Sequence, residues 1–250
     1  MGKEEQLFKK RIQELAGNCF SRDIPVNTDF LSLNEQTIFR SISGLPPVRY
    51  VMDGGYEEAE RKVVCFLPSY EESLSNPPFD CLRVSPRNVR FAENLDHRDF
   101  LGAVMGLGIE RSVVGDILLD ETGAYVFVMS GMSRYLMENL TEVRHTNVTA
   151  EFYEGDRTFL SPKLEELSGS VSSLRLDAIV ALAGRVSRSK AVAYIEGEKV
   201  FLNGAAVTEP SRGLKEHDVL SIRGIGKFRF LGLRGETKKG RIMVKLGCYR

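Results

Sequence analysis

The stretch from Ser172 to Phe230 restricts the fold more than any other part of the chain, because two helical stripes, a tight turn and a strand follow one another with little slack. Leu176, Ile179, Val180 and Ala183 recur at helical spacing and make one buried stripe. Ser173 offers a cap for that helix, Asp177 suits its positive end, and Gly184 can close it in a left-handed conformation. Ser187 restarts a helix through Arg188, Ser189 and Lys190 to Glu196, and Gly197 stops it. A hairpin follows, with Lys199 to Leu202 and Ala205 to Val207 on either side of Asn203-Gly204, a pair that tolerates the two positive φ values of a tight turn. Asp218 to Arg223 alternates apolar and polar residues and reads as a further strand.

The second helix carries the chemistry. Its start offers backbone N–H groups without helical partners and the positive end of a dipole. Arg185, Arg188 and Lys190 gather there, and Ser187 and Ser189 add hydroxyl donors. Such a constellation grips phosphate. The competing reading is a solvated, charged helix start with an ordinary serine cap. The order R-L-D, SRSKA, I-x-G-x-V-x-x-N-G, P-S and D-x-L-x-I resembles the small RNA-binding domain named after small-subunit ribosomal protein four, the S-four domain. The resemblance covers about sixty residues. It implies RNA-facing roles for Arg175, Arg185, Ser187, Arg188, Ser189, Lys190 and Asn203. Lys199, Lys227 and Arg229 join them on charge alone. Asn203 keeps a second reading as a turn residue only, and Arg175 as the partner of an acidic side chain.

Charge points the same way. The formal net charge of zero conceals a split: residues 1–171 hold 18 Lys and Arg against 27 Asp and Glu, whereas residues 172–250 hold 16 against 7. A basic segment on an acidic body is the pattern of a nucleic-acid arm. No long uninterrupted apolar run occurs, and the Lys/Glu-rich amphipathic start is not a secretory signal, so a soluble cytoplasmic protein is expected, with no membrane partner. Cys19, Cys65, Cys81 and Cys248 lie far apart without a C-x-x-C pair, so neither a disulfide nor a thiolate metal site is expected.

Ahead of the basic segment the patterning predicts two further domains, giving a multi-domain α+β chain. Residues 1–75 read as a small α+β domain. It has an amphipathic helix over 3–19 and a second helical region capped near Asn27, Thr28 or Asn34. Strands follow at Val48–Met52 and Lys62–Leu67, with a short acidic helix between them. Pro68 to Pro78 is the candidate linker. Residues 79–160 give strand, helix, strand, strand, helix, strand, the ferredoxin-like order that RNA-recognition folds share. On its third strand Tyr125 and Phe127 alternate onto one face, as base-stacking aromatics do, although a pair at period two also suits a core. Gly102, Gly106 and Gly108 lie in and after a helix and serve its packing and termination. Ser161 to Glu166 reads as a turn or short helix, residues 172–235 as the S-four domain, and 236–250 as a basic tail. In and before that tail stand Arg234, Lys238, Lys239, Arg241 and Lys245, with an edge strand open as an alternative over Arg241–Leu246.

Taken in this order, the three segments resemble the bacterial YlmH family of S-four-domain proteins. Asp53 to Lys62 and Val113 to Ile117 carry the likeness outside the basic domain. A related group in phototrophs goes by the name photosystem II S-four domain proteins. The resemblance implies an RNA-binding protein that associates with the large ribosomal subunit and takes part in rescue of stalled translation. Structured RNA is the expected partner, ribosomal RNA first and transfer RNA second, with no DNA, no cofactor and no metal, the chain acting as a monomer. No enzyme is expected. Arg175-Leu176-Asp177 matches the catalytic R-L-D of pseudouridine synthases only superficially, since it falls on a helix of the binding domain. His97, His145 and His217 lack triad or ligand spacing. Two other classes stay open: an rRNA-modifying enzyme with its centre in residues 1–155, and a protein–protein adaptor that the RNA domain merely localises.

Overall fold

The structure, a computed structural model, describes residues 2–237 and 240–249; Lys238 and Lys239, expected in the basic tail, lie outside the described residues. The chain divides into two compact units, Met1–Ser161 and Pro162–Arg250.

In the first unit the amphipathic start forms α1 (Lys3–Arg22), which buries Ile12, Ala16 and Cys19. β1 (Val26–Asn27) follows, and α2 (Leu33–Arg40) starts from a capping box between Ser32 and Glu35, not from Asn27, Thr28 or Asn34. β2 (Arg49–Asp53) and β3 (Val63–Leu67) complete an antiparallel sheet of order β1-β3-β2. Every residue of β3 is buried, as its unbroken apolar run demands. Val64 and Phe66 face α1 and α2, while Val63 and Cys65 face the other way. Where a short acidic helix was expected, residues 54–61 form bends and turns.

The ferredoxin-like series runs β4 (Phe79–Pro86), α3 (His97–Gly106), β5 (Val114–Leu119), β6 (Ala124–Met129), α4 (Ser130–Asn139), a short β7 (Glu142–Val143) and β8 (Thr146–Phe152). Its sheet order is β5-β6-β4-β8-β7, antiparallel throughout. Leu82, Val84, Val126, Val128 and Val148 pack beneath Phe100 and Val104 of α3 and Leu136 of α4. The opposite face, carrying Phe79, Cys81, Tyr125 and Phe127, packs on Phe30, Tyr56, Val63 and Cys65. The segments read as two domains, 1–75 and 79–160, therefore share one core and build a single unit with layers helix, sheet, sheet, helix. Each fully buried aromatic of that shared core contributes on the order of 1.5–3 kcal/mol. Gly55 sits so close that a Cβ would stand 2.3 Å from the Phe127 ring, and its φ of 91° suits only glycine.

Polar groups fasten the same seam. Asp116 of β5 accepts from the Tyr56 hydroxyl at 2.7 Å and from the Glu60 and Arg61 N–H groups at 2.6 and 3.2 Å. Arg61 in turn donates to the carbonyls of Val114 at 2.9 Å and Phe30 at 2.6 Å. Burial pushes the Cys65 thiol up to about 12 and the Cys81 thiol up to about 11, which disfavours the nucleophilic thiolate at both.

The second unit begins with β9 (Leu164–Val171), where a turn or short helix was expected. α5 (Leu176–Ala183), α6 (Arg188–Glu196), β10 (Val200–Leu202), β11 (Ala205–Ala206), β12 (Val219–Ile222), β13 (Gly226–Glu236) and β14 (Ile242–Tyr249) follow. They make one antiparallel sheet of order β11-β10-β12-β13-β14-β9. The expected tail is thus no tail: β14 lies between β13 and β9, with Val244 and Leu246 buried beneath the helices. Lys245 and Arg234, read as tail or arm charges, both pair with Glu166 of β9, at 2.6 and 2.9 Å.

Candidate nucleic-acid interface

The buried stripe Leu176, Ile179, Val180 and Ala183 seats α5 on the sheet. Its start is not open to a ligand, because the N–H groups of Leu176 and Asp177 donate to the carbonyls of Arg212 and Pro210. The cap position is Arg175, not Ser173, and no side chain caps it. The left-handed residue of the following turn is Arg185, with φ 49°, not Gly184, whose φ is −86°. α6 starts as the sequence predicts. Ser187 is its cap and accepts from the Lys190 N–H at 3.3 Å, while the Ser187 and Ser189 hydroxyls lie 3.0 Å apart. The N–H groups of Arg188 and Ser189 precede the first helical hydrogen bond and have no partner within the helix.

Asp177 organises the arginines around this start. It is 4% exposed and accepts from Arg188 Nη2 at 2.6 Å, with longer bonds from Arg175 Nε and Nη2 at 3.3 and 3.4 Å. Arg188 Nη1 also donates to the Ser172 hydroxyl at 3.3 Å. Burial alone would raise the Asp177 carboxyl; the bonds from Arg188 and Arg175 outweigh it and hold the group below its ordinary range. One buried carboxylate thus holds two half-exposed guanidinium groups with donors to spare. Arg185, Ser187, Ser189 and Lys190 are exposed beside them. The acidic partner weighed for Arg175 is therefore present, and it orients that side chain.

The remaining expected residues separate. Asn203 serves its turn: with φ 50° it donates to Asp218 Oδ1 at 2.8 Å and accepts from the Val219 N–H at 2.9 Å. Asn203→Ala is expected to destabilise this unit by about 2–3 kcal/mol, from two lost hydrogen bonds and a left-handed alanine. Thermal unfolding checks it, and a wild-type melting curve would refute the role. Arg229 is only 6% exposed and donates from Nε to the Tyr249 hydroxyl at 3.0 Å, so it supports the sheet and offers no direct contact. Lys199 and Lys227 stay accessible, each over an aromatic ring. Phe127 and Tyr125 are corrected. They share a face, but it is covered: Phe127 is fully buried and stacks on Tyr56 at 5.5 Å, and Tyr125 is 7% exposed. Tyr153 and Phe159 meet the Tyr125 ring edge-on at 4.9 and 5.8 Å, so neither residue is a stacking platform.

Two contributors escaped the sequence reading. Asp177 looked like an N-terminal dipole partner, and nothing local shows that Arg188, eleven positions on, folds back to it. Arg223, over the Phe201 ring at 4.9 Å, stands exposed in the turn just after β12, where the alternation of the expected strand singles out no surface cation.

Comparison with known proteins gives this geometry a family. Residues 86–155 match the model described as "Putative RNA-binding domain in YlmH", and residues 174–220 match the S4 domain, the S-four domain of the sequence reading. The chain is 34% identical over 221 residues to the ribosome-associated protein quality control protein P2 of Bacillus subtilis (strain 168), covering 87% of this chain and 84% of that protein. In fold it is similar to the cell division protein ylmH from Streptococcus pneumoniae, with a TM-score of 0.50 at 21% identity over 61% of this chain and 93% of that one. With an S4 domain behind a YlmH-type RNA-binding domain, and a relative of this identity and coverage, the chain belongs to the YlmH family.

Proposed function

We propose that the chain is a non-enzymatic RNA-binding factor of translation that works on the ribosome in the cytoplasm, as a monomer. Its partner is structured RNA of the large subunit, with transfer RNA at the same site as a second ligand, and its role is rescue of stalled synthesis. The observation that carries the RNA reading is the start of α6, where Asp177 holds Arg175 and Arg188 beside the Ser187 cap, with Arg185 and Lys190 alongside. Anchored guanidinium forks at a helix N-terminus suit phosphate oxygens. The charge of the second unit supports it: residues 162–250 hold 17 Lys and Arg against 9 Asp and Glu, whereas 1–161 hold 17 against 25. The ribosomal setting is supported by the Bacillus relative, which is named for ribosome-associated quality control.

The test is a comparison of the two units, each with its own core. Residues 162–250 are expected to bind ribosomal RNA in a filter assay at moderate salt, and 1–161 much more weakly, because phosphate neutralisation dominates such affinity. Equal affinity of the two would sink the assignment. Mass spectrometry of ribosomal RNA from cells with and without the gene is expected to show the same modified nucleosides. A modification lost on deletion and restored by the purified protein would establish the enzyme reading instead.

A further inference from the structure

At one end of the second unit's sheet, basic side chains are seated on aromatic rings. Lys199 Nζ lies 5.6 Å from the Tyr194 ring centre, Arg223 Cζ 4.9 Å from that of Phe201, and Lys227 Nζ 4.7 Å from that of Tyr249. The ladder brings them together. Val200 pairs with Ile222 and Ile222 with Gly226, and the Arg223 N–H donates to the Lys199 carbonyl at 2.9 Å. The three cations therefore flank the same end of three adjacent strands, β10, β12 and β13, across about 10 Å at the usual strand spacing. Val200, Leu202, Leu220, Ile222 and Phe228 turn to the helices and the core, so Phe201, Ser221 and Lys227 occupy the face away from them. Lys199 and Arg223 are exposed.

The manner of seating matters. At the other edge of the sheet Glu166 fixes Arg234 and Lys245 and cancels charge as it does so. A ring holds a cation through its quadrupole and leaves the net charge in place. Lys199 and Arg223 are thus ordered without being neutralised by the group that orders them, an arrangement suited to a polyanion. Glu196 and Glu198 are the acidic residues close in sequence, and both are exposed.

We infer that this end of the sheet is a second RNA-contacting surface, taking the sugar-phosphate backbone of an RNA segment beyond the one held at the start of α6. The inference rests on the RNA-binding reading above. α6 spans nine residues, about 13 Å at the helical rise, so Lys199 lies beyond its far end from Arg188. One phosphate cannot serve both clusters. Arg185 stands in the turn that leads into α6, on the near side of that helix, and belongs with the first cluster.

The test uses the full chain, with total ribosomal RNA and poly(U) as probes. Lys199→Gln/Arg223→Gln removes two exposed cations and is expected to make the slope of log affinity against log salt shallower by about two units, an effect of about 16-fold across a fourfold salt change. Lys199→Arg/Arg223→Lys keeps the charges and is expected to keep the slope. Thermal unfolding of both variants confirms that they are folded. If the Gln variant binds both RNAs with the wild-type slope while Arg185→Ala/Lys190→Ala loses affinity, the second surface is refuted and the α6 site stands. If neither variant changes binding, both assignments fall. If the Gln variant loses ribosome association but no affinity for either RNA, the surface serves a protein and the inference is wrong.

Discussion

Replacing Arg185, Arg188 and Lys190 together by alanine is expected to remove about three phosphate contacts and lower the salt slope of RNA binding by two to three units. Arg185 and Lys190 are exposed, but Arg188 is not a bystander. Its removal leaves the buried Asp177 carboxylate with Arg175 alone, at 3.3 and 3.4 Å. The triple variant should therefore lose stability as well as affinity, because a buried charge tolerates the loss of its closest partner poorly. Arg185→Ala/Lys190→Ala keeps the 2.6 Å bond between Arg188 and Asp177 and separates the two effects, with a slope lower by one to two units and little change in melting. The acid limb of stability provides a second check. The Asp177 carboxyl has a folded pKa below its unfolded value near ~3.9, so its contribution is present above that value and lost as pH falls through the folded pKa. The triple variant should lose part of that contribution at neutral pH and show a flatter acid limb. A folded triple variant with wild-type affinity and slope would remove the α6 site from consideration.

What the sequence shows and what it hides follow from the range of the interactions. The stripe of α5, the Ser187 cap, the Asn203-Gly204 turn and the strands of the ferredoxin-like series are specified within a few residues, and the structure has them close to where local patterning puts them. β9 is hidden because Leu164 to Val171 is mostly Glu, Ser and Gly, a composition that edge strands tolerate and that mimics a linker. β14 is hidden for the opposite reason. Its alternation is visible, but Arg241 and Lys245 among glycines suggest a tail until Glu166 supplies the partner for Lys245. The stacking pair failed on a nonlocal fact. Tyr125 and Phe127 do share a face, and rings far off in sequence cover it: Tyr56, seventy-one positions before Phe127, stacks on that ring, while Tyr153 and Phe159 meet the ring of Tyr125. At the α6 site the residue types were legible, whereas the Asp177 anchor was not, because it joins two helices across a turn.

Asp116→Ala is expected to cost the first unit about 3–5 kcal/mol, the largest stability effect of any single change considered. The carboxylate receives the Tyr56 hydroxyl and the Glu60 and Arg61 N–H groups, and the Arg61 side chain goes on to the carbonyls of Phe30 and Val114. Alanine leaves those donors facing a gap. It also withdraws negative charge from beside Arg61, whose guanidinium burial already holds below its ordinary range. At about 2–4 °C per kcal/mol for a unit of this size, the melting transition should fall by about 10 °C. Asp116→Asn keeps the volume and one acceptor but turns an amide N–H toward other donors, so its loss should be smaller and still measurable. This change also separates fold from site. The seam that Asp116 fastens lies wholly within the first unit, and the start of α6 lies in the second. At a temperature where the variant remains folded, its affinity for ribosomal RNA should stay within about twofold of wild type. A large loss of RNA affinity in a folded Asp116→Ala variant would place an RNA contact in the first unit, and an unchanged melting curve would show that the seam does not depend on this carboxylate.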